Sequence, residues 1–293
     1  MSTFQPNDEA PSPRSERPIA VQLDLAGFLA RAAPYLLESE LENQLLLSLA
    51  YSLANPEAPR SEQLLVASAG QPVGAALYVP PQPLQVTRLD ARAAEAVACA
   101  FARAEPRISV TMGPDAASEL VARALALHAG AAVEQTGRQI LLGLTEVAHV
   151  PEPPGTIRPA EEADFELCTR WYREFEVEAR PPYVGDPAQA VRWALEARTL
   201  YLWDHGGPVA LARLGSPTPT GNRIGPVYTA PDRRGRGYAT ALVARLSRQA
   251  LASGKRFVCL FVDENNPLAR RVYTRIGYRT VTGFGIWRLQ SPR

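Results

Sequence analysis

Apolar positions along this chain change period repeatedly, and each change predicts an element. Leucines at 36, 37, 41, 45, 49 and 53 recur at helical spacing and predict a helix over Leu36–Leu53. Pro34 sits at its expected start, after a helix over Leu23–Ala33. Short apolar runs bounded by Gly and Pro predict strands at Gln63–Ala69, Gly74–Val79 and Leu84–Leu89. A helix at Ala91–Arg103, a strand at Ile108–Met112 and a helix at Asp115–Ala129 come next. Gln139–Leu144 then reads as the strand that closes this half.

The second half repeats that order. Thr156–Pro159 reads as a strand, and Glu162–Ala179 and Pro187–Ala197 as helices. Strands at Leu200–Asp204, Val209–Leu214 and Ile224–Thr229 precede a helix at Tyr238–Ala252. A strand at Phe257–Val262, a helix at Pro267–Ile276 and a final strand region at Thr280–Leu289 complete the pattern. The halves match in element order at an offset of roughly 145–150 residues, without evident identity, which predicts a tandem α/β (α+β) repeat. Three prolines and a glycine in His149–Gly155 can continue neither a helix nor a central strand. The expected organisation is therefore a disordered tail at 1–18, a first domain at 19–147, a Pro-rich linker at 148–155 and a second domain at 156–293.

Composition narrows the functional classes. The 293 residues are 46% hydrophobic and 21% charged, an ordinary globular mix. Lys+Arg is 31 against 30 Asp+Glu, so no dominant nucleic-acid or anionic-membrane surface is implied. The apolar run near Leu45–Ala50 is far too short to span a bilayer, and Met1–Pro18 lacks the apolar stretch of a signal peptide. Three cysteines (99, 168, 259) and three histidines (128, 149, 205) are scattered without metal-ligand spacing. The expectation is a cytoplasmic protein with no metal and no disulfide framework.

Two motifs carry candidate chemistry. In Arg234-Gly-Arg-Gly237-Tyr-Ala239 a strand enters an amphipathic helix through an Arg- and Gly-rich turn. Free N–H groups at such a helix start form an anion site, and Gly235 and Gly237 let the backbone approach a phosphate. Neither the Walker A nor the full Rossmann glycine pattern is present. The second motif, Asn266-Pro-Leu-Ala269 to Tyr273 and Gly277-Tyr278, puts Asn266 at a helix start and Ala269 and Tyr273 on one face. Alone, Asn266 reads as an N-cap and Tyr273 as a core aromatic.

Together the motifs resemble the GNAT superfamily of N-acetyltransferases: Gln/Arg-x-x-Gly-x-Gly/Ala, then Asn, Ala and Tyr, then Gly-Phe/Tyr. The resemblance covers about Thr156 to Leu289. It implies two tandem GNAT-like domains, each a mixed, mostly antiparallel sheet flanked by helices, with acetyl-CoA entering between splayed strands Ile224–Thr229 and Phe257–Val262. Gly225-Pro226 suggests a bulge in the first of these. By resemblance, acetyl-CoA would be bound by Val227, Tyr228, Thr229, Arg234, Gly235, Arg236, Gly237, Tyr238, Ala239, Thr240 and Asn266. Tyr273 would be the general acid. The first half lacks both motifs and reads as a degenerate copy.

The implied reaction is direct attack of a primary amine, on a small molecule or peptide, on the acetyl-CoA thioester. The strand before the phosphate loop, Asn222–Thr229, has no acid to serve as base. Glu178, which continues the stripe of Leu167, Trp171 and Phe175, is the candidate general base, ahead of Asp204, His205 and Asp263; it also reads as a solvated acid at a helix end, with a water chain serving as base. The acceptor cleft would be lined by Trp171–Gly185 and Thr282–Trp287, where Tyr172, Phe175, Tyr183 and Trp287 suggest a partly aromatic surface, although core packing explains aromatics as well. The first copy either shapes that cleft or supports a homodimer. A non-catalytic acyl-CoA-binding regulatory module is the alternative reading.

Overall fold

The computed structural model describes residues 17–54, 61–68, 70–104 and 108–290. The tail expected over 1–18 lies outside them except for Arg17 and Pro18, as does Ala69 at the end of an expected strand. A strand the sequence pattern did not announce, β1 (Ile19–Leu23), pairs with β2 (Glu62–Ser68). Helix α1 (Leu25–Leu37) starts after Asp24, whose carboxylate accepts the Gly27 N–H at 2.7 Å. Pro34 lies inside α1 rather than opening a second helix. The single helix expected over Leu36–Leu53 is broken, because the Asn43 side-chain amide donates to the Leu36 carbonyl at 3.0 Å and satisfies the helix end. Helix α2 then runs only from Gln44 to Ser52.

The rest of the first half is β3 (Gln71–Tyr78), β4 (Leu84–Val86), α3 (Ala91–Ala104), β5 (Val110–Pro114), α4 (Asp115–Ala129) and β6 (Ala132–Leu144). The second half is β7 (Thr156–Pro159), α5 (Phe165–Ala179), α6 (Pro187–Glu196), β8 (Leu200–Asp204), β9 (Pro208–Gly215), β10 (Gly221–Thr229), α7 (Tyr238–Ala252), β11 (Phe257–Asp263), α8 (Pro267–Ile276) and β12 (Arg279–Gln290). Among the described residues the strands form one 12-stranded, mostly antiparallel sheet, ordered β1-β2-β3-β4-β5-β12-β6-β11-β10-β9-β8-β7.

The two halves exchange their last strands. β6 leaves the first half and pairs with β11, Val258–Asp263 against Leu144–Gln139. β12 leaves the second half and pairs with β5, Phe284–Arg288 against Pro114–Val110. The exchanged strands pair with each other from Arg279↔Gly143 to Gln290↔Ala132. Gln139–Leu144 thus closes the second half's sheet, not its own. The residues explain why. Positions 140–144 are buried on both faces, as a central strand requires. Ile140, Leu142 and Leu144 join the core under α7, while Leu141 packs with Met112, Phe257 and Phe284.

The period-2 alternation of the strands builds three layers. In β9, Ala210, Ala212 and Leu214 face the α7 side, and Leu211 faces α5 and α6. In β3, Ala76 and Tyr78 face α3 and α4, and Ala75 and Leu77 face α1 and α2. The sheet splits open between β10 and β11. These strands pair in parallel only over Gly221–Arg223, against Phe257–Cys259. Beyond that point β10 stays with β9, with a register shift between Ile224 and Val227 at Gly225-Pro226.

Candidate active site

Where β10 and β11 part, a cleft of about 720 Å³ opens. Val227 of β10, Phe261 and Asp263 of β11, and Asn266, Ala269 and Tyr273 line one side of it. Strand alternation decides what β10 presents there. The Ala230 N–H donates to Val209 of β9 at 3.1 Å, so alternate residues turn the same way and Val227 and Thr229 turn toward the gap. Tyr228 is different: its ring is buried and its hydroxyl donates to Glu174 at 2.7 Å.

Helix α7 follows β10 through the Arg- and Gly-rich loop. Gly235 and Gly237 take left-handed backbone, at φ 77° and 85°, which a side chain would strain. No side chain caps α7, and its first intrahelical bond runs from the Ala241 N–H to the Gly237 carbonyl. The N–H groups of Tyr238, Ala239 and Thr240 are therefore the orphan donors of the helix start. A second cavity, about 460 Å³, lies against Arg236, Gly237, Thr240 and Arg275, walled by linker residues His149–Pro153. The Tyr238 side chain is not part of this end. It is buried, with its hydroxyl 2.6 Å from His205 Nδ1.

At the matching position of the first half, the start of α3, a cavity of about 840 Å³ lies against Arg88, Asp90, Arg92 and Ala93, but the helix start is capped. Asp90 accepts the Ala93 N–H at 2.8 Å, placing a carboxylate at the start of α3. An anion there would meet like charge and a satisfied donor.

Arg234 folds back from the loop. Its Nε donates to the Thr229 carbonyl at 3.0 Å, and its Nη2 donates to both oxygens of Glu178, at 2.7 and 2.9 Å. Its guanidinium lies 5.4 Å from the centre of the Tyr228 ring. Arg236 donates to the Asp232 carbonyl at 3.3 Å. Asn266 is the N-cap of α8, accepting the Ala269 N–H at 2.9 Å, and it also lines the cleft. Tyr273 is 8% exposed, its ring edge-on to Tyr278 at 6.0 Å, and burial pushes its phenol up to about 12.

Of the other candidate bases, Asp204 is tied to Arg158 at 3.2 Å and His205 to Tyr238. Asp263 does face the cleft, accepting the Asn265 N–H at 2.7 Å. The aromatic wall is smaller than expected. Phe175 lines the cleft, but Tyr172 packs in the core beneath α5. Tyr183 stands exposed outside it, and Trp287 turns to the other face of β12, 6.0 Å from Arg123. The opposite wall comes from the exchanged strands: Thr136, Gly137 and Gln139 of β6, and Ile286 and Arg288 of β12. No local pattern announced the β6 residues, because only the exchange brings them here.

Residues 165–278 match the family model for the Acetyltransferase (GNAT) family. The second half carries a GNAT domain. The match runs from the first residue of α5 to Tyr278, and so takes in both the Arg- and Gly-rich loop and the Asn266–Tyr273 helix. Solved structures share the fold over both halves of the chain. A Drosophila protein aligns with 92% of this chain and 98% of its own, at 15% identity and a TM-score of 0.67. A GCN5-related N-acetyltransferase from Sphaerobacter thermophilus covers 94% and 96%, at 20% identity and 0.60. A tandem GNAT protein from the clavulanic acid biosynthesis pathway covers 94% and 99%, at 14% identity and 0.55. No curated protein sequence matches. Among the described residues no helix is long and apolar enough to cross a membrane.

Proposed function

We propose that the protein is an acetyl-CoA-dependent N-acetyltransferase whose reaction takes place in the cleft between β10 and β11. The observation that carries this reading is the opening between the two strands, with an uncapped α7 N-terminus following β10 in the chain. The donor's pyrophosphate suits the orphan N–H groups of Tyr238, Ala239 and Thr240 and the positive end of the helix dipole. Gly235 and Gly237 keep the loop low enough for that approach, and Arg236 adds charge. The main-chain groups of Val227 and the Thr229 N–H, which turn toward the gap, offer the pantetheine arm strand-like pairing; the Thr229 carbonyl is taken by Arg234.

The donor supplies the acetyl thioester. The amine nitrogen forms a bond to its carbonyl carbon, and the carbon–sulfur bond breaks. The Val227 N–H is the donor available to the developing oxyanion. Tyr273 holds its proton at neutral pH and gives it to the leaving thiolate. We propose a different role for Glu178 than that of general base. Both its oxygens are occupied by Arg234, so it holds the cofactor loop in place.

The acceptor is a primary amine on a small molecule or peptide, entering between the α5 end and the exchanged strands. The cysteines 99, 168 and 259 are all free thiols, which supports a reducing, cytoplasmic setting. The first half supports the second structurally and does not bind the donor, given Asp90 at the start of α3. A second reading, an acyl-CoA-binding module without turnover, is favoured by one observation: β10 carries no acid. Release of free CoA from acetyl-CoA with a broad panel of primary amines decides between them. Amine-dependent release supports the enzyme. Saturable acetyl-CoA binding with no release from any amine supports the binding module.

A further inference from the structure

Helices α3 and α4 lie side by side on the first half, away from the cleft. Glu95 and Cys99 are one turn apart on α3, and His128 is in the last turn of α4. The Cys99 Sγ lies 3.3 Å from Glu95 Oε1 and 3.5 Å from His128 Nε2, and the latter two are 3.2 Å apart. The chain has only three cysteines and three histidines, and one of each meets a carboxylate here. The Glu95 and His128 side chains are 39% and 35% exposed, so a cation reaches them from solvent. Cys168 and Cys259 are buried, which leaves Cys99 as the reachable thiol.

The three separations can be compared with a coordination shell. Zinc bonds are about 2.3 Å to sulfur and about 2.0–2.2 Å to nitrogen or oxygen, so a tetrahedron of them has edges of roughly 3.3–3.6 Å. The observed triangle, at 3.2, 3.3 and 3.5 Å, fits one face of such a tetrahedron with shifts of no more than a few tenths of an ångström. We propose that Glu95, Cys99 and His128 form a zinc site, with a water at the solvent-facing fourth position. A thiolate, an imidazole and a carboxylate suit zinc, whereas magnesium and calcium prefer oxygen alone. On binding, the Cys99 thiol releases its proton to solvent as the sulfur–metal bond forms. The thiolate and carboxylate then balance the charge of the ion. The ion clamps α3 to α4, and it does so in the half that does not bind the donor.

The test uses the full chain, with any affinity tag removed and metal stripped by a chelator. Zinc is titrated by calorimetry, and cobalt(II) is added in parallel as a spectroscopic probe. The expected result is one zinc per chain, a rise in melting temperature with zinc, and a near-ultraviolet thiolate-to-cobalt absorption band. Cys99→Ser should abolish that band, and Cys99→Ser and His128→Ala should each weaken zinc binding at least about tenfold. Far-ultraviolet circular dichroism checks that both variants fold. Absence of zinc binding to the folded wild-type chain overturns the proposal. So does a cobalt spectrum without the thiolate band, or equal zinc affinity in wild type and both variants. Any of these would leave the triad as a set of hydrogen bonds.

Discussion

Tyr273 combines burial with access to the cleft, and the acid role proposed for it rests on both. A phenol raised to about 12 is almost wholly protonated at neutral pH, as an acid must be before it donates. Tyr273→Phe keeps the ring packed on Tyr278 and removes only the proton. Steady-state kinetics should show kcat reduced by about 10²-fold or more, with acetyl-CoA affinity little changed. The sign of the pH effect is equally determined. A raised pKa keeps the acid form through the alkaline range, so the wild-type rate should show no loss from this residue until pH approaches that raised value. Glu178 gives a second contrast. If it holds Arg234, Glu178→Gln raises KM for acetyl-CoA and leaves kcat nearly unchanged; a selective fall in kcat would restore it as a base. Stability should change by less than about 1 kcal/mol, because the pair is exposed.

At the scale of elements, the helices around the site were legible because their ends are written in single residues. The boundaries of α4, α7 and α8 coincide with the sequence pattern. Gly130 and Gly277 stop α4 and α8 in left-handed backbone, and Asn266 starts α8. The α1–α2 break was not legible. It depends on Asn43 reaching back seven positions to Leu36, which no periodicity records. β1 was missed because five residues with an exposed Ile19 at one end give little alternation to read. The entry to α5 supplies a stability prediction. Asp164 accepts Arg158 at 2.7 and 2.9 Å and the Glu161 N–H at 2.9 Å. The Arg158 guanidinium foremost holds its carboxyl below the ordinary value of 3.8, against the opposing effect of burial. The folded state thus binds this proton less readily than the unfolded chain. The resulting stability is full above the unfolded pKa and is lost as pH falls through the folded one. Asp164→Asn should cost about 1–3 kcal/mol at neutral pH, read from urea midpoints, and the difference from wild type should shrink as pH falls below the ordinary carboxyl range.

The molecule as a whole is organised by the strand exchange, which the sequence concealed. A repeat in element order shows that two similar units exist, but it cannot say whose last strand lies in whose sheet. That depends on pairing between residues more than a hundred positions apart, such as Leu142 with Leu260. The same exchange supplies the cleft wall that local motifs left out. Its energetic weight can be bounded. Ile140, Leu142 and Leu144 contribute roughly 1.5–3 kcal/mol each to the second half's core, about 5–9 kcal/mol together as an upper estimate. That approaches the whole stability of an ordinary domain, about 5–15 kcal/mol. A fragment of residues 156–293 should therefore fail to fold as a monomer, while the intact chain melts in one transition. Circular dichroism and light scattering on both would check this. A monomeric fragment with its own cooperative melt would show the halves to be independent.

In the proposed reaction one half alone binds the acyl donor, at the uncapped start of α7. Calorimetric titration of acetyl-CoA into the wild-type chain, Gly237→Glu and Gly237→Asn tests it most directly. Asn tolerates left-handed backbone without adding charge, whereas Glu sets a carboxylate against the pyrophosphate. The expected result is one site per chain, largely kept by the Asn variant and lost in the Glu variant while both stay folded. Two sites per chain, no binding to the wild type, or undiminished binding to Gly237→Glu would contradict it.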